Sequence, residues 1–81
     1  MKIVYDPSKR RTNIQKHGFD FADLDIEFFE SAIVVPAKEN RLMAIGALRD
    51  GTIAVVFVTL GKEAVSIISM RKASRKERSI L

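Results

Sequence analysis

A chain of 81 residues with 47% apolar and 30% charged residues has the composition of one folded domain, expected to span 1–81, not of a disordered tail. At this length roughly 60–65% of the unfolded chain's surface is buried on folding, so the core is small. The net charge of +4 and a pI near 9.8 favour a polyanionic partner, nucleic acid before a membrane surface, while the lack of Cys and the single His exclude a disulfide scaffold, a thiolate metal site and a His cluster for zinc.

Residues 2–5 are β-prone and predict a short first strand. Asp6-Pro7-Ser8 is a helix start, because Asp6 can accept hydrogen bonds from first-turn amides and Pro7 stands where its missing N–H would be unpaired anyway. The helix should run over about 7–16. It carries Lys9, Arg10, Arg11 and Lys16, with Ile14 as its large apolar residue, so its apolar stripe is narrow and one side stays wet or meets a polyanion. His17-Gly18 closes it, Gly18 supplying the left-handed residue that ends helices.

Asp20 predicts the cap of a second helix over 21–30. Phe21, Leu24 and Phe28 recur at helical spacing, as do Ala22, Ile26 and Phe29, which marks this as the main core helix. Its polar side, Asp20, Asp23, Asp25, Glu27 and Glu30, is opposite in sign to the first helix. That contrast predicts charge pairing across an antiparallel helix hairpin rather than an acid–base site.

Residues 31–35 read as a strand stopped by Pro36, and 37–40 as a turn. Three runs follow, 41–48, 53–60 and 64–71, separated by Arg49-Asp50-Gly51-Thr52 and Gly61-Lys62-Glu63, and they predict an antiparallel meander. The middle run has no polar residue from Ala54 to Val58, so it is central and covered on both faces, by helices on one and by an unidentified element on the other. Residues 73–81 predict a short helix capped by Ser74 with Glu77 at capping-box spacing. The N-terminal stretch lacks the apolar core of a signal peptide, and the run 53–60 is far short of the ~20 residues that cross a bilayer, so a cytoplasmic protein without membrane contact is expected.

The last strand hands a dense cationic group to the surface: Arg71, Lys72, Arg75, Lys76 and Arg78 against Glu77 alone, a surplus equal to the net charge of the whole protein. Arg guanidinium grips a phosphate through two parallel hydrogen bonds, so Arg71, Arg41 and Arg75 are candidate phosphate clamps. Arg71 leads, because a cation next to a buried strand is held in place at little further entropic cost. Arg41 divides between a sheet-edge charge and a site residue. His17 carries the one side chain type whose ordinary pKa, about 6.5, lies near neutrality, which makes it the acid–base candidate against the alternative of a helix-end cation. Lys16 is either a solvated helix-end charge or a contact to a polyanion. Glu77 is a cap, a partner for Arg71 or a proton acceptor.

Tyr5-Asp6, Asn13-Ile14-Gln15-Lys16-His17-Gly18-Phe19-Asp20-Phe21, the strand from Arg41 to Gly46, Ile67-Ile68-Ser69-Met70-Arg71-Lys72-Ala73 and Glu77-Arg78 resemble, in order and spacing, the BrnT toxins of type II toxin-antitoxin systems. The resemblance covers nearly the whole chain. It implies an α+β, RelE-like fold of two N-terminal helices on an antiparallel sheet meander with a short C-terminal helix. It also implies endoribonuclease activity on messenger RNA and neutralisation by a ribbon-helix-helix antitoxin protein. Metal-free cleavage by the RNA's own 2′-hydroxyl needs a proton acceptor, cations for the charge growing on the phosphate, and a proton donor for the leaving 5′-oxygen. On this reading Arg71, His17 and Glu77 are the catalytic candidates, and Lys16, Arg41, Lys72, Arg75 and Arg78 the RNA-binding ones, with no cofactor. The chain departs from the family pattern in a shorter, less acidic 36–40 loop and in Ser79-Ile80-Leu81 where an aromatic usually follows the Glu-Arg pair. That departure keeps open a non-catalytic nucleic-acid- or protein-binding module of the same fold. The sheet face not covered by helices, carrying Val, Ile and Phe of the central strand, is expected to dock the antitoxin or a second copy as a homodimer within the complex.

Overall fold

The computed structural model describes residues 1–49 and 51–81, so the Asp50-Gly51 hairpin signal has its first residue outside them. The described strands, β1 (Lys2–Val4), β2 (Ile33–Pro36), β3 (Leu42–Leu48), β4 (Gly51–Leu60) and β5 (Ala64–Lys72), form one sheet in the order β1-β5-β4-β3-β2. Strands β2 to β5 make the expected antiparallel meander with β4 at its centre. The sheet as a whole is mixed, because β1 adds to β5 in parallel, a non-local pairing that the run of local turns does not announce.

Helix α1 (Pro7–His17) begins and ends where the residues predict. Asp6 accepts from the Ser8 N–H at 2.8 Å, and Gly18, at φ 75°, closes the helix in the left-handed region. The anticipated second helix is divided. Phe21–Asp23 is a single 3-10 turn capped by Asp20, Leu24 is extended, and α2 (Ile26–Ser31) restarts with Asp25 accepting from the Phe28 N–H at 2.8 Å. Two Asp caps five residues apart each offer the backbone a local hydrogen bond that competes with a continuous helix. Phe21, Leu24 and Phe28 are buried all the same, against Val55, Phe57, Val65, Ile67 and Met70.

The two helices take separate seats on the sheet, α1 against β5 and α2 against β3, in place of the helix hairpin. The backbones of α2 and β3 approach closely: a Cβ on Gly46 would lie 3.1 Å from both Ala32 Cβ and Phe28 Cε1. Of the acidic residues, Asp20 does pair with Arg10 of α1, but Asp23 turns to Arg49 and Asp25 is spent as a cap.

Ile14 is 39% exposed and is not what seats α1. Asn13, 5% exposed, does that: its Nδ2 donates to the Met70 and Phe19 carbonyls at 2.8 and 2.9 Å, and its Oδ1 accepts from the Met70 N–H at 3.0 Å. A side-chain amide thus takes the place of a neighbouring strand at the free edge of β5 beyond β1.

The second face of β4 is covered in part by the C-terminal segment. Ala73 packs with Ile45 and Ala54, its N–H donates to the Thr52 carbonyl, and α3 (Arg75–Arg78) follows with both hydrogen bonds of the Ser74–Glu77 capping box in place. Phe57 and Ile53 of β4 belong to the helix side, so the uncovered part of the outer face presents half-buried Val56, Val58 and Met43 rather than the Phe and Ile expected there. No helix among the described residues is long and apolar enough to cross a membrane.

Candidate functional site

Strand β5 decides which cations meet. Val56 pairs with Ser69 and Phe57 with Ile67, leaving Ile68 as an extra residue without a partner. Such a bulge shifts the alternation of side chains by one. Ile67 and Met70 consequently both face the helices, and Arg71 joins Ser69 on the outer face opposite Ala54, whereas a regular strand would have put Ile67 on Arg71's side. Lys72, opposite Ile53, faces the other way and lines a hollow with Phe19, Asp23, Leu48 and Arg49.

On the outer face, Arg71 and Glu77 line a hollow of about 500 Å³ together with Arg41, Lys38, Glu39, Met43 and Val56. The two ends of this site are positioned differently. Arg71 leaves a paired strand and is gripped end-on: Nη1 and Nη2 donate to the two Glu77 oxygens at 2.7 and 2.8 Å. Glu77 is itself fixed by the Ser74 N–H at 2.8 Å and its side chain is only 15% exposed, against 35% for Arg71. Arg41 follows Glu39 and Asn40, both in the left-handed region at φ 62° and 60°, a turn geometry that non-glycine residues adopt at some cost. Its guanidinium lies 3.6 Å from exposed Glu39, a loose pair.

The Arg71 fork is not fully used. Beyond Glu77, Nη1 has a long bond to the Lys72 carbonyl at 3.3 Å and Nη2 a weak contact to the Met43 sulfur at 3.9 Å, and Nε has no partner among the described residues. The side-on edge, Nε and Nη2, is therefore the one open to an incoming oxyanion. The hydrogen bonds from Arg71 hold the Glu77 carboxyl at about 2, down from its ordinary 4.5, and Glu77 in turn raises the Arg71 pKa. A carboxylate held that low is a brace for the cation and a poor proton acceptor near neutrality.

Lys16 and His17 do not line this hollow. They stand with Ser8, Lys9, Thr12, Asn13, Ile68 and Ser69 around a second one of about 250 Å³ between α1 and β5. Arg75 and Arg78 are exposed on α3, beside Glu77. The residues predicted for the site thus divide into an Arg71–Arg41–Glu77 group, a Lys16–His17 group, the flanking α3 cations, and Lys72 on the opposite face. Asn13 was missed as a positioning residue. Its one signal is that the first helix has only a narrow apolar stripe, too little to seat it without a polar contact. Among the described residues no group of three or more His, Asp or Glu side chains is placed to hold a metal ion.

A profile of the family described as "Ribonuclease toxin, BrnT, of type II toxin-antitoxin system" matches residues 5–77. Among solved structures, the 1.1 Å crystal structure of the Brucella abortus ribonuclease toxin BrnT aligns with a TM-score of 0.86 at 59% identity, covering 93% of this chain and 99% of that one. No curated protein matches the chain.

Proposed function

Because the chain belongs to the BrnT family of ribonuclease toxins of type II toxin-antitoxin systems, we propose that it cuts messenger RNA as a metal-independent endoribonuclease, with the outer-face hollow as the seat of the scissile phosphate. The observation that carries this reading is the half-exposed Arg71 guanidinium, braced end-on by Glu77, with Nε unpartnered among the described residues, Nη2 otherwise in only a weak contact to the Met43 sulfur, and Arg41 lining the same hollow. In the reaction the 2′-oxygen attacks the adjacent phosphorus, the bond from phosphorus to the 5′-oxygen breaks, and a 2′,3′-cyclic phosphate and a free 5′-hydroxyl result. Negative charge grows on the non-bridging oxygens as this happens. A guanidinium already held in place stabilises that charge without reorganising, and Arg41 adds a second cation.

Glu77 acts here through Arg71, as its brace. His17, whose hollow begins at Ser69, two residues from Arg71 on the same strand face, is the group assigned to take the proton of the attacking 2′-hydroxyl and to hand it on to the leaving 5′-oxygen. Lys16, Lys72, Arg75 and Arg78 supply flanking attraction for the RNA backbone. The α+β fold is read as a RelE-like variant. A ribbon-helix-helix antitoxin neutralises the protein by covering the outer face, where Met43, Val56 and Val58 offer apolar contact beside the cations, and a second copy of the chain joins the complex.

The test is cleavage of a long RNA by the pure protein in the presence of a chelator, with the 5′-hydroxyl and cyclic phosphate ends identified. Arg71→Ala is expected to slow cutting by about 10²–10³ with an unchanged circular dichroism spectrum, and undiminished cutting by that variant overturns the site. A second reading, a binding module without turnover, is favoured by one observation: the protein's own carboxylate already takes two of the Arg71 donors. It is recognised by salt-sensitive RNA retention with no new ends.

A further inference from the structure

The hollow under α1 holds more than His17. Lys9, Thr12 and Lys16 recur at i, i+3 and i+7, one stripe of the helix, and face Ser69 and Ile68 of β5 across about 250 Å³. No carboxylate lines it, and among the described residues Lys9, Lys16 and His17 take part in no ion pair. Asp6, the N-terminal cap of the helix, spends one oxygen on the Ser8 N–H and hydroxyl; these hydrogen bonds chiefly, with a smaller attraction to Lys9, hold its carboxyl below the ordinary range, and it forms no direct ion pair with Lys9. The hollow therefore joins cations and hydroxyl donors beside the apolar Ile68, the chemistry that receives a phosphodiester with its ribose.

Its position relative to Arg71 is fixed by a single side chain. Asn13 lies within the same stripe, and all its bonds to β5 go to Met70, the residue between Ser69 and Arg71. The cations of α1 are thereby registered against the strand that carries the clamp. Ser69 and Arg71 sit on one face about 7 Å apart along the strand, a short step for a nucleic-acid backbone lying across it.

We propose that this hollow is a second phosphate subsite, built by Lys9, Thr12 and Lys16, which takes a phosphodiester flanking the scissile one in the same RNA strand. The inference rests on Arg71 clamping the scissile phosphate, and it adds what that reading lacks: a contact that sets the direction of the strand across β5 and the minimum length of substrate.

The experiment reads binding, not cleavage, so that the two proposals fail separately. The protein is titrated with a short fluorescent RNA made uncleavable by a 2′-deoxy substitution at the cut site, and with a series in which each neighbouring linkage in turn is a neutral methylphosphonate. Lys9→Gln, at an exposed helix position, is expected to weaken binding of the all-phosphate RNA about tenfold and to lower the slope of log affinity against log salt by about 0.7, one phosphate's worth for a single strand. For one member of the methylphosphonate series the variant and the parent should bind equally. Thr12→Val should show the same linkage dependence with a smaller loss, and on cleavable RNA Lys9→Gln should raise KM with little change in kcat. A loss spread evenly over all linkages, or none at all, overturns the subsite. So does a Lys9→Gln variant that loses affinity for the antitoxin while keeping that for RNA. Undiminished cutting by Arg71→Ala removes the parent reading, while the linkage map still reports whether α1 holds a phosphate.

Discussion

Two ion pairs in this protein are nearly the same bond in different surroundings. Arg10 grips Asp20 through Nε and Nη2 at 2.6 and 2.8 Å, and Arg71 grips Glu77 through Nη1 and Nη2 at 2.7 and 2.8 Å. In both, the guanidinium holds its carboxylate at about 2. The first pair ties α1 to the turn at 21–23. The second stands in a hollow, with Nε unpartnered among the described residues and a second arginine lining the same space. Pairing alone therefore does not separate a staple from a clamp. What does is which donors remain and what other charge they share.

The sharpest way to break that comparison is to remove each arginine. Arg71→Ala should lower the rate of RNA cleavage by about 10²–10³, the usual loss when one preorganised donor to a developing oxyanion is deleted. Arg10→Ala should leave the rate within a few-fold of the parent and lower the melting temperature slightly, since exposed pairs contribute little to stability. Gel-resolved initial rates beside thermal melts check both, and equal losses of activity from the two variants would erase the distinction.

Next in size is the element that holds the two hollows in register. Asn13→Ala leaves the buried N–H and C=O of Met70 without partners, and should cost about 2–6 kcal/mol of unfolding free energy at about 1–3 per unsatisfied group. Asn13→Asp keeps the acceptor and loses the donor, so it should fall between the two in a urea titration. If Asn13→Ala unfolds at the parent's midpoint, α1 is seated by something else.

That asparagine also marks where the chain stops being legible from its residues. Signals that act over a few positions are plain: Asp6-Pro7 and Gly18 bound α1, Ser74 and Glu77 form their box, and Phe21, Leu24 and Phe28 are core. Their burial survives even though the helix expected to carry them breaks at Leu24, because apolar spacing dictates which side chains go inside more firmly than it dictates the backbone between them. The features settled by packing were not visible. Ile67 and Ile68 are the same residue type in adjacent positions, and only the fit of Met70 and Ile67 against the helices makes Ile68 the bulge. Candidate site residues chosen by chemistry alone, Arg71 and His17 among them, consequently fall in two hollows rather than one.

The smallest effect concerns pH and separates the pairs once more. Both carboxylates have folded pKa values depressed to about 2, from ordinary values of 3.8 for Asp20 and 4.5 for Glu77, in each case chiefly through hydrogen bonds from the arginine. A depressed acid contributes stability that is complete above its unfolded pKa and is lost as pH falls through the folded one. The parent protein should therefore lose melting temperature between about pH 4.5 and 2. Glu77→Gln should flatten that decline across the whole interval, and Asp20→Asn only below about 3.8. Near neutrality the two variants should part in a second way. Glu77→Gln frees Arg71 from its brace and should slow cleavage several-fold, whereas Asp20→Asn should not. If both flatten the acid limb and neither alters cleavage, the Arg71 pair is a staple like the other, and the clamp must be sought among the cations it was thought to lead.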